Sequence, residues 1–565
     1  MLIILLSWFY IFIVALTVGI TIKQLLKLDT LDPIITLFFG LFGITLFTGF
    51  WAIFLPINST YQVIQILIVC LLFYYNKSLI LIELTDLKQQ FKSFSVFFKS
   101  SFIVLCVLAL AQCASPPFVI DNESYYVQTI KWLNEYGFVN GLINLHVFLG
   151  QTSGWHILQS AFNFSFLYSS INDISGFCLL LGNFYAISRL NYYVKFNQKN
   201  TLDLIIGLFP LFNVFFFQFI SAPSADIAIY VVAIIVFHQF IICFKAYNKS
   251  IFITLAFLSI FASFIKLTGV FLFLFTIVIY LKYFLKTKTH TLLISGLGTI
   301  TLCLFIIKNL IITGTILYPL HGIIETSWSL PETIAEYISN YSKASTYNLT
   351  IENYNTASKV DLFKYWLLLP KLDGILNKMM ILLLLIIPFI IGKSKHKNAF
   401  LFIFGISIIN LIVIFNFSPQ YRFFFPFLMI LLLIICAQII KSDRFIYLVQ
   451  IGAMSLILIP LFYPINNANL TNTTYHTVPS TFSLKYVFFP HKNTKYSSKH
   501  ETITVGNLEL NAPIEIDFFW GTSNVPLPAL KEEQLDYFSS YFNTIPQLRG
   551  KTLKEGFYSK NLLND

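Results

Sequence analysis

Charge is what this chain has least of. Asp, Glu, Lys and Arg make up 11% of its 565 residues, against about 25% in an ordinary soluble domain. With 57% hydrophobic residues and a mean hydropathy of +0.75, the composition excludes a water-soluble globule and points to many membrane spans. Other absences narrow the class. The seven cysteines (Cys70, Cys106, Cys113, Cys178, Cys243, Cys303 and Cys436) lie in or beside apolar runs. Their spacing implies neither a disulfide framework nor a zinc site. No basic stretch is interleaved with aromatics, so the net charge of +11 does not indicate a nucleic-acid partner. Residues 465–565 balance nine Lys/Arg with nine Asp/Glu, and the positive excess lies in short loops between apolar runs, where the positive-inside rule expects it. No basic residue precedes the first apolar run, and Lys23 follows it. That run reads as a retained first span rather than a cleaved leader. Strict two-residue alternation is also missing, which favours helices over a barrel.

What is present is about fourteen apolar segments, each near the roughly 20 residues that a bilayer requires. They lie near 3–22, 34–55, 61–76, 100–115, 174–190, 203–220, 226–244, 250–265, 268–285, 291–311, 376–392, 398–416, 423–440 and 445–463. The expected fold is an all-α polytopic membrane domain over 1–463. A linker over 464–480 and a small α+β domain over 481–565 follow it. One segment, WHILQSAFNFSFLY (155–168), is short and dotted with polar residues. Treating it as re-entrant or interfacial sorts the charges best. One side then holds nineteen of the twenty-eight basic residues before 465 and six acidic ones. The other side holds the loops 116–153 and 313–375, the N-terminus and the C-terminal domain. Positive-inside sorting makes that second side extracytoplasmic.

On this topology several polar residues collect at one membrane edge. Asp121 and Glu123 open the loop after the fourth segment. Asp226 begins the seventh, in SAPSAD. Lys266 sits in the tight turn FIKLTG, Lys308 and Asn309 close the tenth segment, and Arg422 lies in SPQYRFFFP. Ionisable residues there are costly and are functional-site candidates by default. Each has a structural alternative. Asp121 and Asp226 could cap helices, with Glu123 in a first turn where carboxylates oppose the dipole. Lys266 and Lys308 could snorkel to headgroups, and Arg422 could be an interfacial anchor. His146, His156 and His321 read first as structural. As a set the residues suit a lipid phosphate: cations for its charge and a carboxylate to accept a hydroxyl proton. The three acids could instead hold a divalent metal, Mg or Mn.

The arrangement resembles the GT-C superfamily of polytopic glycosyltransferases. Its members are similar in a first large outer loop that opens on an acidic motif, here Asp121-Asn122-Glu123 followed by Tyr125 and Tyr126. SAPSAD resembles their second acidic site, Asp226. KNLIITGTILYP resembles a segment that closes a late span. The tail stretch FFWGTSNVPLPAL (518–530), followed by LRG (548–550), resembles a group of bacterial GT-C-like membrane proteins. The resemblance implies transfer of a sugar from a polyprenyl-phosphate donor to an extracytoplasmic glycan or lipid acceptor, in cell-surface glycan assembly. It assigns catalysis to Asp121, Glu123 and Asp226, and substrate contacts to Tyr125, Lys266, Lys308, Asn309, Tyr318, His321 and Arg422. A transporter or flippase of lipid-linked sugars, or a surface polysaccharide polymerase or ligase, is the alternative. Transporters place charge nearer the midplane and show repeats, and no repeat is visible here.

Overall fold

A computed structural model describes residues 1–28, 31–168, 174–196, 199–320, 324–392, 394–464, 470, 481–492 and 497–564. The chain is mostly helical, because a continuous apolar run in a bilayer can satisfy its backbone only from within. All fourteen apolar segments are helical. Among the described residues, eleven helices are long and apolar enough to cross a membrane. The others are Ile174–Lys195, whose mean hydropathy is diluted by Asn, Ser, Arg and Lys, and the shorter apolar pair Lys249–Ile265 and Leu267–Lys282. Polar caps set several starts: Asp32 accepts from the Ile34 amide ahead of a Pro33-led helix, and Asn58, Ser95, Asn248 and Ser442 do the same at theirs.

The helix Ala225–Lys245 is the centre of the bundle, with nearly every residue from Asp226 to Phe244 buried. Asp226 therefore enters the structure on the first turn of the innermost helix. Segment 155–168 does not cross. Its helix, Gly154–Ala161, has 8 residues, about 12 Å of rise against a core of about 30 Å. Ser153 and His156 close a capping box at its start.

The two ends of the bundle differ in charge. At one end Lys23 pairs with Glu83 at 2.8 Å, Arg189 with Asp32 at 3.0 Å and Lys199 with Asp443 at 2.5 Å, while Lys249 reaches the Lys27 carbonyl. These are the loops that charge sorting grouped together. The N-terminus lies at the other end, its ammonium donating to the Tyr486 carbonyl at 2.6 Å. The His491 amide donates to the Ala114 carbonyl there, which brings the tail beside the start of the acidic loop.

The tail holds two antiparallel hairpins, His500–Val505 with Leu508–Pro513 and Thr544–Leu548 with Phe557–Asn561, and the helix Glu532–Phe542. It does not stand off on a stalk. Gly556 (φ +95°) lies against Asn140, where an added Cβ would sit 2.0 Å from the Asn140 carbonyl oxygen. Trp520 shares a small apolar core with Ile143, Val147, Leu330, Ile334 and Ile338. The expected linker lies mostly outside the described residues, at 465–469 and 471–480.

Candidate functional site: an ion-pair chain under the acidic loop

Four of the sequence-predicted residues meet. Lys266 bonds Asp226 Oδ1. Arg422 Nη1 lies 3.7 Å from Asp226 Oδ2 and 3.2 Å from Asp121 Oδ2. The order Lys266–Asp226–Arg422–Asp121 thus joins four elements across 301 residues of sequence. Asp226 is the buried member, its side chain 3% exposed, while Lys266, Arg422 and Asp121 are each about one-quarter exposed. The chain begins on the bundle's central helix and opens toward the surface at Asp121.

Local structure places each member. Lys266 is the extended residue that caps the end of the apolar helix Lys249–Ile265 and precedes the short turn Leu267–Gly269. A polar head at a helix end can leave hydrocarbon without a kink. Arg422 is on the first turn of Tyr421–Ile439, and its Nη2 donates to Gln420 Oε1 at 3.0 Å. Aromatics wall the cluster: Phe423 lies under the Lys266 ammonium, the Tyr230 hydroxyl reaches the Arg422 carbonyl, and the Tyr126 hydroxyl donates to Asp121 Oδ2 at 3.4 Å. No partner of Asp121 Oδ1 is found among the described residues.

Glu123 parts from Asp121. Residues 122–126 form a π-helical turn, and two residues along a helix point to opposite faces. The Glu123 carbonyl accepts from the Thr522 and Ser523 amides at 2.9 and 2.8 Å, and the Thr522 hydroxyl donates to the Ser124 carbonyl at 2.5 Å. Gln128 adds bonds to the Ser523 and Val525 carbonyls. The tail stretch around Trp520 therefore straps the back of the acidic turn. The Glu123 carboxyl has no ion-pair or hydrogen-bond partner among the described residues, and burial pushes it up to about 7. Of the expected acid pair, Asp121 joins the ion-pair chain, while Glu123 meets the tail through its backbone carbonyl.

Lys308 also stands apart from the carboxylates. Its ammonium donates to the Thr152 carbonyl at 2.6 Å and to Asn309 Oδ1 at 2.7 Å, and Asn309 donates on to the Ile316 carbonyl. It ties the 147–153 turn to the bundle and has no carboxylate partner among the described residues. His156 lies within electrostatic reach of Lys308 and Lys266. Burial and those two charges push it down to about 3, so it is neutral. Its Nδ1 accepts from the Ser153 amide, which leaves a proton on a buried Nε2 that has no partner among the described residues. The Tyr125 hydroxyl turns to Gln151 at 3.2 Å, and Tyr318 has a buried hydroxyl with no partner among the described residues. His321 lies outside the described residues.

Sequence reasoning passed over Tyr126, Gln420 and Phe423 as site residues. Tyr126 had a readable signal, since it lies five residues after Asp121 in a helical stretch. Gln420 and Phe423 had none beyond flanking Arg422.

No group of three or more His, Cys, Asp or Glu among the described residues is arranged around a metal position. The guanidinium of Arg422 already supplies the positive charge between Asp121 and Asp226.

A family match covers most of the chain, residues 1–429. The chain belongs to the family described as a domain of unknown function (DUF8201). No curated protein and no solved structure matches it. The matched region contains the whole ion-pair chain and Lys308, and ends before the tail strap at 520–525.

Proposed function

We propose that this protein is a GT-C-type glycosyltransferase that moves a sugar from a polyprenyl-phosphate-linked donor to a glycan or lipid acceptor at the membrane face bearing the acidic loop, taken as extracytoplasmic. The observation that carries the reading is the Lys266–Asp226–Arg422–Asp121 chain at a membrane edge. Asp121 is the proton acceptor for the incoming hydroxyl. Arg422 and Tyr126 hold its Oδ2 and orient it, while Oδ1 remains for the acceptor. Asp226 is too buried to meet an acceptor and serves to fix Lys266 and Arg422. Lys266 and Arg422 are the cations offered to a phosphate, and once Asp121 has taken the acceptor's proton they stand against a single carboxylate, Asp226. The surplus positive charge stabilises the phosphate as the sugar leaves it.

In the transfer, the acceptor oxygen attacks the anomeric carbon, the sugar–phosphate bond breaks with its electron pair on phosphate, and the hydroxyl proton goes to Asp121. Tyr125, Asn309, Tyr318 and His321 are assigned to the substrate's surroundings, and Glu123 to the tail contact rather than to the proton.

The test is transfer from a polyprenyl-phosphate sugar, assayed with the purified full chain. Asp121→Asn should lower the rate by about 10²–10⁴ with unchanged expression and elution. Full activity in that variant would leave Asp121 as a helix-start residue only. Loss of one surface glycan on deletion of the gene would separate transfer from a general envelope defect. A flippase would instead move donor across vesicles with no transfer to acceptor.

A further inference from the structure

The second feature of the molecule lies at the opposite end of the bundle and is independent of the transfer reading. Where the helices Ala225–Lys245, Val270–Lys282 and Lys397–Phe415 come together, they leave a pocket of about 240 Å3. Lys245, Lys282, Lys395, His396 and Lys397 line it, above a floor that includes Ile241 and Phe244.

No acid lines the pocket, and the sequence explains why. There is no Asp or Glu between Asp226 and Glu325, nor between Asp373 and Asp443, so all three helices reach this end without one. Lys282 is committed: its ammonium donates to the Phe244 carbonyl at 2.5 Å, satisfying a C-terminal carbonyl. Lys245, Lys395 and Lys397 have no carboxylate partner among the described residues. The helix Lys397–Phe415 starts at the pocket wall without a side-chain cap, so its positive dipole end adds to the lysines. Burial, with Lys245 and Lys395 beside it, holds His396 below the usual histidine range, leaving it a neutral hydrogen-bonding group. Three cations with no carboxylate partner among the described residues, a helix start and a concavity of headgroup size form an anion site. An apolar shelf adjoins it. Leu281 is 67% exposed, and Phe402, 44% exposed, packs on Phe244 at 5.4 Å between ring centroids.

We infer that this pocket binds the phosphate-bearing headgroup of an anionic membrane lipid, with an acyl chain lying along Leu281 and Phe402. The shared chemistry is a phosphate ester; the apolar shelf assigns it to a lipid rather than to a soluble phosphate.

The experiment uses the purified full chain in detergent. It is titrated with phosphatidylglycerol and with phosphatidylcholine, and retained lipid is read by native mass spectrometry. A parallel arm adds inorganic pyrophosphate and reads thermal unfolding. Each lysine near the headgroup contributes about fivefold. The wild type should retain phosphatidylglycerol over phosphatidylcholine, and the K245Q/K395Q/K397Q variant should bind phosphatidylglycerol about 100-fold more weakly. The Lys→Arg triple variant should keep the preference, and Lys397→Gln alone, at an exposed position, should lose about fivefold even if the triple variant folds poorly. Equal retention of the two lipids, or no loss in either glutamine variant, overturns the proposal. Protection by pyrophosphate that depends on the lysines, with no lipid preference, also overturns it and reassigns the pocket to a soluble anion.

Discussion

Arg422 is the hinge of the ion-pair chain, and its removal has a calculable consequence. At 3.2 and 3.7 Å, each attraction is worth about 5 kcal/mol gross at an effective dielectric constant near 20. Desolvating the ions offsets most of that, so the net effect follows from what is left behind. In Arg422→Gln, Asp226 keeps Lys266, but Asp121 loses the only cation it meets among the described residues. Removing one partner of a buried pair costs about 3–5 kcal/mol. Asp121 is 26% exposed, which moves the expected loss to the lower end, about 3 kcal/mol. Neutralising Asp121 as well should recover part of it, because no orphaned charge remains. The double variant R422Q/D121N should thus be more stable than R422Q by about 1–2 kcal/mol, a coupling within the range for residues in contact. Arg422→Lys should not substitute, since a single ammonium cannot present the planar fork that reaches two carboxylates and Gln420. Denaturant-induced unfolding in detergent, followed by tryptophan fluorescence, gives the order wild type, then the double variant, then R422Q. Strict additivity of R422Q and D121N would refute the bridge.

Two further outcomes concern the back of the acidic turn. Glu123 is raised from its ordinary 4.5 to about 7 in the fold. The folded state then holds a proton that the unfolded state has lost between those values, so stability falls as pH rises through that window. Glu123→Gln should therefore gain up to about 3 kcal/mol over the wild type at pH 8 and nothing near pH 4; a pH-independent difference between the two proteins would show that the carboxyl is not held in its neutral form. Thr522→Val removes hydroxyl bonds to the Glu123 and Ser124 carbonyls. It should cost about 1–2 kcal/mol and speed amide exchange at 121–128, read by hydrogen–deuterium exchange. Unchanged protection there would mean that the strap does not brace the turn.

Much of the architecture was legible along the chain. Apolar runs of bilayer length locate helices because hydrocarbon leaves the backbone no other partner. The sparse charges could be sorted to two ends for the same reason, and the eight-residue helix at 154–161 agrees with leaving 155–168 out of the spans. Asp121 and Glu123 are two residues apart, a spacing that in a helical turn turns them to different faces, and it is Asp121 that reaches Arg422.

Local pattern alone determined, then, that this is a many-span helical protein with a basic end and an end where acids, a late arginine and two lysines emerge. Only the tertiary structure decided that Arg422 closes a circuit with Asp121 and Asp226, that Lys308 turns to Thr152 instead, and that the tail grips the back of the acidic loop. The reason is physical. Transfer into a membrane is summed residue by residue along the chain, so it can be read in order. An ion pair depends on a few ångströms between side chains hundreds of residues apart, and that distance exists only once the helices have packed.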